Sequence, residues 1–186
     1  MPDSDTPLAR RKLRIDLDDL EVAFDDGSPE TAWYLSLETG QVVMVTDEIR
    51  AELEAILEEV AGAEDERPAA FADALARRNL PEWMQESVQD AADVEDGYGT
   101  RYIAVPRAES RDSYKDMEEF IETVRAESLR DHLWRAIDGR GAFRGFKNVL
   151  EDDPRERERW FAFRDARARQ RVLDWLEEEG IEPLTM

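Results

Sequence analysis

Nine consecutive residues, Gly139-Arg140-Gly141-Ala142-Phe143-Arg144-Gly145-Phe146-Lys147, gather three glycines, two aromatics and three cations in an otherwise acidic chain. Their spacing predicts a tight turn followed by a helix over 142–150. On that helix Phe143, Phe146, Val149 and Leu150 share an apolar side, and Arg140, Arg144 and Lys147, four and three apart, make a neighbouring positive stripe. A glycine at the helix start leaves backbone N–H groups open, and a helix N-terminus favours anions. Guanidinium groups beside free N–H groups suit phosphate or carboxylate recognition. A second line, Arg164, Arg167 and Arg171, edges the predicted final helix, which runs from Pro154 to about Glu179 with Phe161, Ala168, Val172 and Trp175 on one face. Gly139, Arg140, Gly141, Arg144, Lys147, Arg164, Arg167 and Arg171 are therefore the candidate anion- or partner-binding residues.

The same residues admit a purely structural duty. Gly139 can end one helix, Gly141 can start the next, and Gly145 can let two helices approach closely. On that reading the phenylalanines are core. The arginines then pair with acids of the same chain or of a second copy, or cover the core with their aliphatic stems.

Proton-transfer chemistry finds little support. His132 is the sole histidine, so any Ser-His-Asp triad would have to centre on it, and it falls mid-helix beside Asp131. There are no cysteines, which excludes disulfides, thiolate nucleophiles and sulfur-based zinc sites. The acids Asp16, Asp18, Asp19, Glu21, Asp25 and Asp26 do not make a calcium loop, because Leu20 stands where a ligand is required and no glycine follows it. No cofactor, metal site or catalytic residue is implied. The balance favours a non-enzymatic binding or regulatory protein. Two alternatives stand beside it: a structural or oligomerisation protein, and a metal-dependent phosphoester-type enzyme using Asp and Glu ligands.

Charge narrows the partners. The 186 residues carry a formal net charge of -21, which repels duplex DNA and anionic membranes unless a local patch reverses the sign. Residues 1–109 hold 10 Lys/Arg against 27 Asp/Glu, a net of -17; residues 125–171 hold 13 against 9, a net of +4. The nine-residue motif lies in that positive zone. A phosphate-bearing ligand, an RNA segment or an acidic protein surface are the expected partners, and a charge-paired homo-oligomer is compatible. The longest aliphatic run, Val42-Val43-Met44-Val45, is far below the roughly 20 residues needed to cross a bilayer. No signal-like apolar stretch follows Arg10, Arg11, Lys12 and Arg14. A bacterial cytoplasm is the simplest location.

The positioning elements point to an α+β chain with an all-helical C-terminal half. Residues 1–12 are expected to form a disordered arm. Residues 13–108 are expected to form an α+β part. In it, 15–24 is a helix, Ala32–Thr46 a β-hairpin turning at Thr39-Gly40, and Asp47–Val60 an amphipathic helix capped by Thr46 or Asp47. Helical pieces at 69–78 and 82–92 follow, and a third strand at 101–106 completes a small antiparallel sheet. Glu95-Asp96-Gly97-Tyr98-Gly99 reads as an ordinary connector, with a mobile binding loop as the alternative. Residues 110–186 form the helical part, packed on the first as one unit. Ser113 and Asp116 suggest a capping box, and Met117, Phe120, Ile121 and Val124 an apolar stripe. A further helix at 128–138 is expected to bury Leu129, Leu133, Trp134 and Ile137, Gly180 ends the last helix, and Ile181-Glu182-Pro183 is a tail able to pack back.

Several of these stretches carry a resemblance. Phe120-Ile121-Glu122, the run from Leu129 to Ile137, Gly139 to Lys147, Trp160-Phe161 and Trp175-Leu176-Glu177 resemble the C-terminal half of a bacterial group, Uncharacterised Protein Family 0158. The hairpin Trp33-Tyr34-Leu35 through Thr39-Gly40-Gln41-Val42-Val43 is similar to that group's N-terminal signature. The resemblance spans roughly residues 15–183 and is least characteristic over 61–100. It implies no activity and no catalytic residues.

Overall fold

The computed structural model describes residues 10–62, 67–107 and 110–184. The fold is α+β: a small antiparallel sheet, formed by a hairpin and a third strand, is packed with helices and followed by a helical C-terminal half. The chain divides into two compact units. One holds the residues up to Pro106 together with those from Glu179 onward, and the other holds Arg107–Glu178.

In the first unit, β2 (Thr31–Ser36) pairs antiparallel with both β3 (Val42–Thr46) and β4 (Tyr102–Ala104), giving the order β3-β2-β4. Ser36 organises the hairpin turn: its hydroxyl accepts from the Thr39 N–H at 3.2 Å, and its carbonyl accepts from the Gly40 N–H at 2.9 Å. Gly40 has a φ of 78°, and a Cβ there would lie 2.1 Å from the Arg14 carbonyl oxygen, so only glycine fits. Thr46 caps α2 (Asp47–Glu59), its hydroxyl accepting from the Ile49 N–H at 3.3 Å. Val43 and Val45 then form one core with Ile49, Leu53 and Ile56 of α2, Phe71 and Leu75 of α3 (Arg67–Arg77), and Val88, Ala91 and Val94 of α4 (Glu82–Gly97).

The preceding helix, α1 (Leu17–Asp25), starts at Asp16, whose carboxylate accepts from the Asp18 and Asp19 N–H groups. At its far end Asp26 accepts from the Trp33 indole at 2.7 Å. A pair not anticipated from the pattern joins the two chain ends. Strand β1 (Arg11–Arg14), which begins inside the stretch read as an arm, runs parallel to β5 (Ile181–Leu184), the stretch read as a tail. Each is four residues long, too short for a period-2 signal to stand out.

The second unit is helical: α5 (Ser110–Thr123), α6 (Glu127–Ile137), α7 (Ala142–Glu151) and α8 (Pro154–Glu178). Its core joins Met117, Phe120 and Ile121 of α5, Leu133 and Ile137 of α6, Phe146 and Leu150 of α7, and Trp160 of α8. Phe120, Phe146 and Trp160 meet edge to face, with centroids 4.7–6.1 Å apart, a geometry that adds to area burial. No helix among the described residues is long and apolar enough to cross a membrane.

Candidate functional site

The turn between α6 and α7 is built by its glycines. Asp138 closes α6, Gly139 follows with a φ of 98°, and Gly141 is the N-cap of α7 with a φ of 82°. Both conformations are left-handed, which glycine alone adopts freely. Gly141 supplies no side chain to cap α7, and no acid stands in its first turn. The third glycine, Gly145, lies where the two helices touch: an added Cβ would sit 2.6 Å from the Ala136 carbonyl oxygen. The α6 C-terminus is secured from α5, since the Tyr114 hydroxyl donates to the Ile137 carbonyl at 3.2 Å.

On this frame Arg140, Arg144 and Lys147 are all exposed, and none has a hydrogen-bond or ion-pair partner among the described residues. In a chain with 46 Asp and Glu, three neighbouring cations left without acids are notable for their chemistry. The two phenylalanines of the motif part company. Phe146 is buried as expected, but Phe143 is 44% exposed, because the α7 core face runs through Ala142, Phe146 and Leu150. Trp134, expected to be buried, is 37% exposed, while Leu133 and Ile137 carry the α6 contact. Cations and exposed aromatics thus stand on the same helical hairpin.

The arginine line of α8 has different duties. Arg167 donates through Nε to Asp116 at 3.1 Å and pairs with Glu119 at 3.1 Å; Arg171 reaches both oxygens of Asp116, at 3.0 and 2.8 Å. Asp116 is 1% exposed and is held by two guanidinium groups 51 and 55 residues away. It is no capping-box acid: α5 begins at Ser110, so Asp116 lies in its second turn. Sequence reasoning missed it, although a signal existed. Asp116 shares the 3–4 spacing of Met117, Phe120, Ile121 and Val124, and an acid on a buried stripe requires a partner. Arg164 lies 5.6 Å over the Phe161 ring and donates to its neighbour Asp165 at 2.8 Å. Phe161 itself is 43% exposed and Trp160 takes the core position, so the face of α8 is rotated by one residue at its start from the one the spacing suggested. His132 is exposed on α6.

The arrangement offers charge and contact surface. It brings together Gly139, Arg140, Gly141, Arg144 and Lys147 at one turn, and it engages Arg164, Arg167 and Arg171 with carboxylates of the same unit.

Comparison with known proteins places the chain by descent. No solved structure matches it. A Pseudomonas aeruginosa protein named for the UPF0158 family is similar to it, at 26% identity over 174 residues that cover 93% of this chain and 88% of the relative. The model of the uncharacterised protein family UPF0158 matches residues 90–186, a segment that includes α5 to α8 and the whole α6–α7 turn. With more than half of its length matched, the chain belongs to the uncharacterised protein family UPF0158.

Proposed function

We propose that this is a non-enzymatic cytoplasmic binding protein whose α6–α7 turn and α7 helix receive an acidic protein surface. The observation that carries this reading is the exposure of Arg140, Arg144 and Lys147 without a partner among the described residues, in a chain of net charge -21. Phe143 and Trp134 favour a protein over a bare phosphate, because exposed aromatics interleaved with cations supply the anchors that protein contacts rely on. The uncapped N-terminus of α7 adds backbone N–H groups oriented toward an incoming carboxylate.

A second reading has its own support. Residues 1–109 carry a net charge of -17, opposite in sign to the motif, so a second copy of this chain is an acidic partner already at hand. Sedimentation at low and high salt separates the two: a charge-paired oligomer loosens as salt rises.

The direct test is titration of an acidic, aromatic-containing peptide, inorganic phosphate and a short single-stranded RNA against the wild type and an Arg140→Ala/Arg144→Ala/Lys147→Ala variant. The peptide should bind at low salt, weaken with added salt, and bind the variant at least about tenfold more weakly. Preference for phosphate or RNA would replace the protein partner. Binding of any of the three that survived the triple substitution would overturn the site, and so would failure of all three to bind.

A further inference from the structure

A cleft of about 430 Å³ opens in the first unit between β2, β3, α2 and α4. It shares no residue with the α6–α7 turn. Its floor is apolar and belongs to the core: Val45, Leu53, Ala91 and Val94. Two of its walls are aromatic. Tyr34 and Tyr98 stand with ring centroids 6.1 Å apart and planes at 88°, so they present two perpendicular faces. Tyr98 is 61% exposed, yet its backbone is tied down on both sides. The Gly97 carbonyl accepts from the Arg101 N–H at 2.7 Å, and the Gly99 N–H donates to the Tyr102 carbonyl at 2.8 Å. A Cβ at Gly97 would lie 2.9 Å from the Tyr102 ring. The connector 95–99 is thus the end of α4 and a pinned turn that holds a large aromatic side chain out over a concave apolar surface.

The rim sets the sign of the ligand. Glu54 and Glu95 line the cleft, are exposed, and have no ion-pair partner among the described residues. Arg50 is the one cation among the lining residues, and it is already bonded to Asp47 at 2.6 Å. An anion entering here would face two carboxylates and find the guanidinium engaged. A cation would find the carboxylates unopposed and two electron-rich ring faces, while its carbon skeleton covered the floor.

We propose that this cleft is a binding site for an organic cation, an ammonium or guanidinium group on a short apolar stem, with Tyr34 and Tyr98 as its aromatic walls and Glu54 and Glu95 as its counter-charges. The group has two sources, a free amine or the side chain of an arginine- or lysine-bearing segment.

Isothermal titration with phenethylammonium, tetramethylammonium and an acetyl-Gly-Arg-Gly-amide peptide tests the proposal, with 3-phenylpropionate as the matched anion. The cations should saturate one site, and 3-phenylpropionate should not. Affinity should fall at least tenfold in Tyr98→Ala and in Glu54→Gln/Glu95→Gln, variants at exposed side chains whose melting temperature checks their folding. Tighter binding of the peptide assigns a protein segment as the source, and tighter binding of the amines assigns a small molecule; both support the site. No saturable binding by any cation, equal binding of 3-phenylpropionate, or binding unchanged in both variants would overturn it. None of these outcomes bears on the α7 cations, so the two sites fail separately.

Discussion

Asp116 offers the sharpest test of how the helical unit is held together. Its side chain is 2% exposed and accepts from Arg171 at 3.0 and 2.8 Å and from Arg167 at 3.1 Å. Removing one partner of a buried ion pair costs about 3–5 kcal/mol, because the other charge is left without a counter-ion. Here the stranded groups are guanidinium side chains that are 36% and 24% exposed. They regain water once released, so the cost falls to the bottom of that range and somewhat below it, and Asp116→Ala should cost about 2–4 kcal/mol. For a chain of this length each kcal/mol moves the melting temperature by about 2–4 °C, which gives a drop of about 4–16 °C. Thermal unfolding followed by circular dichroism, with urea titration alongside, reads it directly. A double-mutant cycle of Asp116→Ala with Arg171→Ala should show a coupling of about 1–3 kcal/mol. Asp116→Leu combined with Arg167→Met and Arg171→Met should stand close to the wild type, since apolar groups of similar volume replace a buried pair at little cost. A drop of less than about 2 °C for Asp116→Ala, or strict additivity in the cycle, would refute the view that this carboxylate anchors α8 to α5. The result also guards the binding experiments. Loss of binding in an Arg167 or Arg171 variant counts as ligand recognition only where the fold is unaffected.

Gly145→Ala should destabilise by about 1–2 kcal/mol in urea titration, since overpacking of about 2–3 kcal/mol against the Ala136 carbonyl outweighs the gain of about 1 kcal/mol in helix propensity; a neutral result would mean that α6 and α7 separate easily. Phe146→Ala should cost about 3–5 kcal/mol and Phe143→Ala under about 1 kcal/mol, because one ring is buried and the other is largely in water. Equal costs would misplace the α7 core face. Asp90→Asn should raise the melting temperature slightly at neutral pH. Its carboxyl is pushed up in the folded state by burial and by Asp93 and Glu86, so the charged form opposes folding above the folded pKa and the penalty vanishes below the unfolded one. The gain should therefore disappear as pH falls through the acid range, and a gain that grew instead would contradict the assignment. Glu59 behaves in the opposite sense. Its hydrogen bond from Arg77 comes first among the influences that hold it below the usual range, so its contribution is present above the unfolded pKa and is lost as pH falls through the folded one. Arg77→Ala should flatten that part of the pH–stability curve.

Much of the fold was legible because local patterns are read locally. The apolar 3–4 spacing marked most of the helices, Thr39-Gly40 marked the hairpin turn, and the flanking glycines marked both ends of the α6–α7 connection. The candidate cations were legible as a set of types and spacings, and the charge map located them. The chain by itself thus determined the helix-forming segments, the glycines that punctuate the hairpin and the helix ends, and a positive zone within an acidic protein, because backbone propensity, turn geometry and net charge depend on near neighbours or on sums. Only the tertiary structure decided which arginines are engaged, since Asp116 meets Arg167 and Arg171 across more than 50 residues. It also decided that Trp160 is buried where Phe161 is not, that Phe143 faces water, and that the two chain ends pair in parallel as β1 and β5. Those outcomes turn on one residue of helix rotation or on a partner far along the chain. Close packing and the pairing of buried charge settle them in three dimensions.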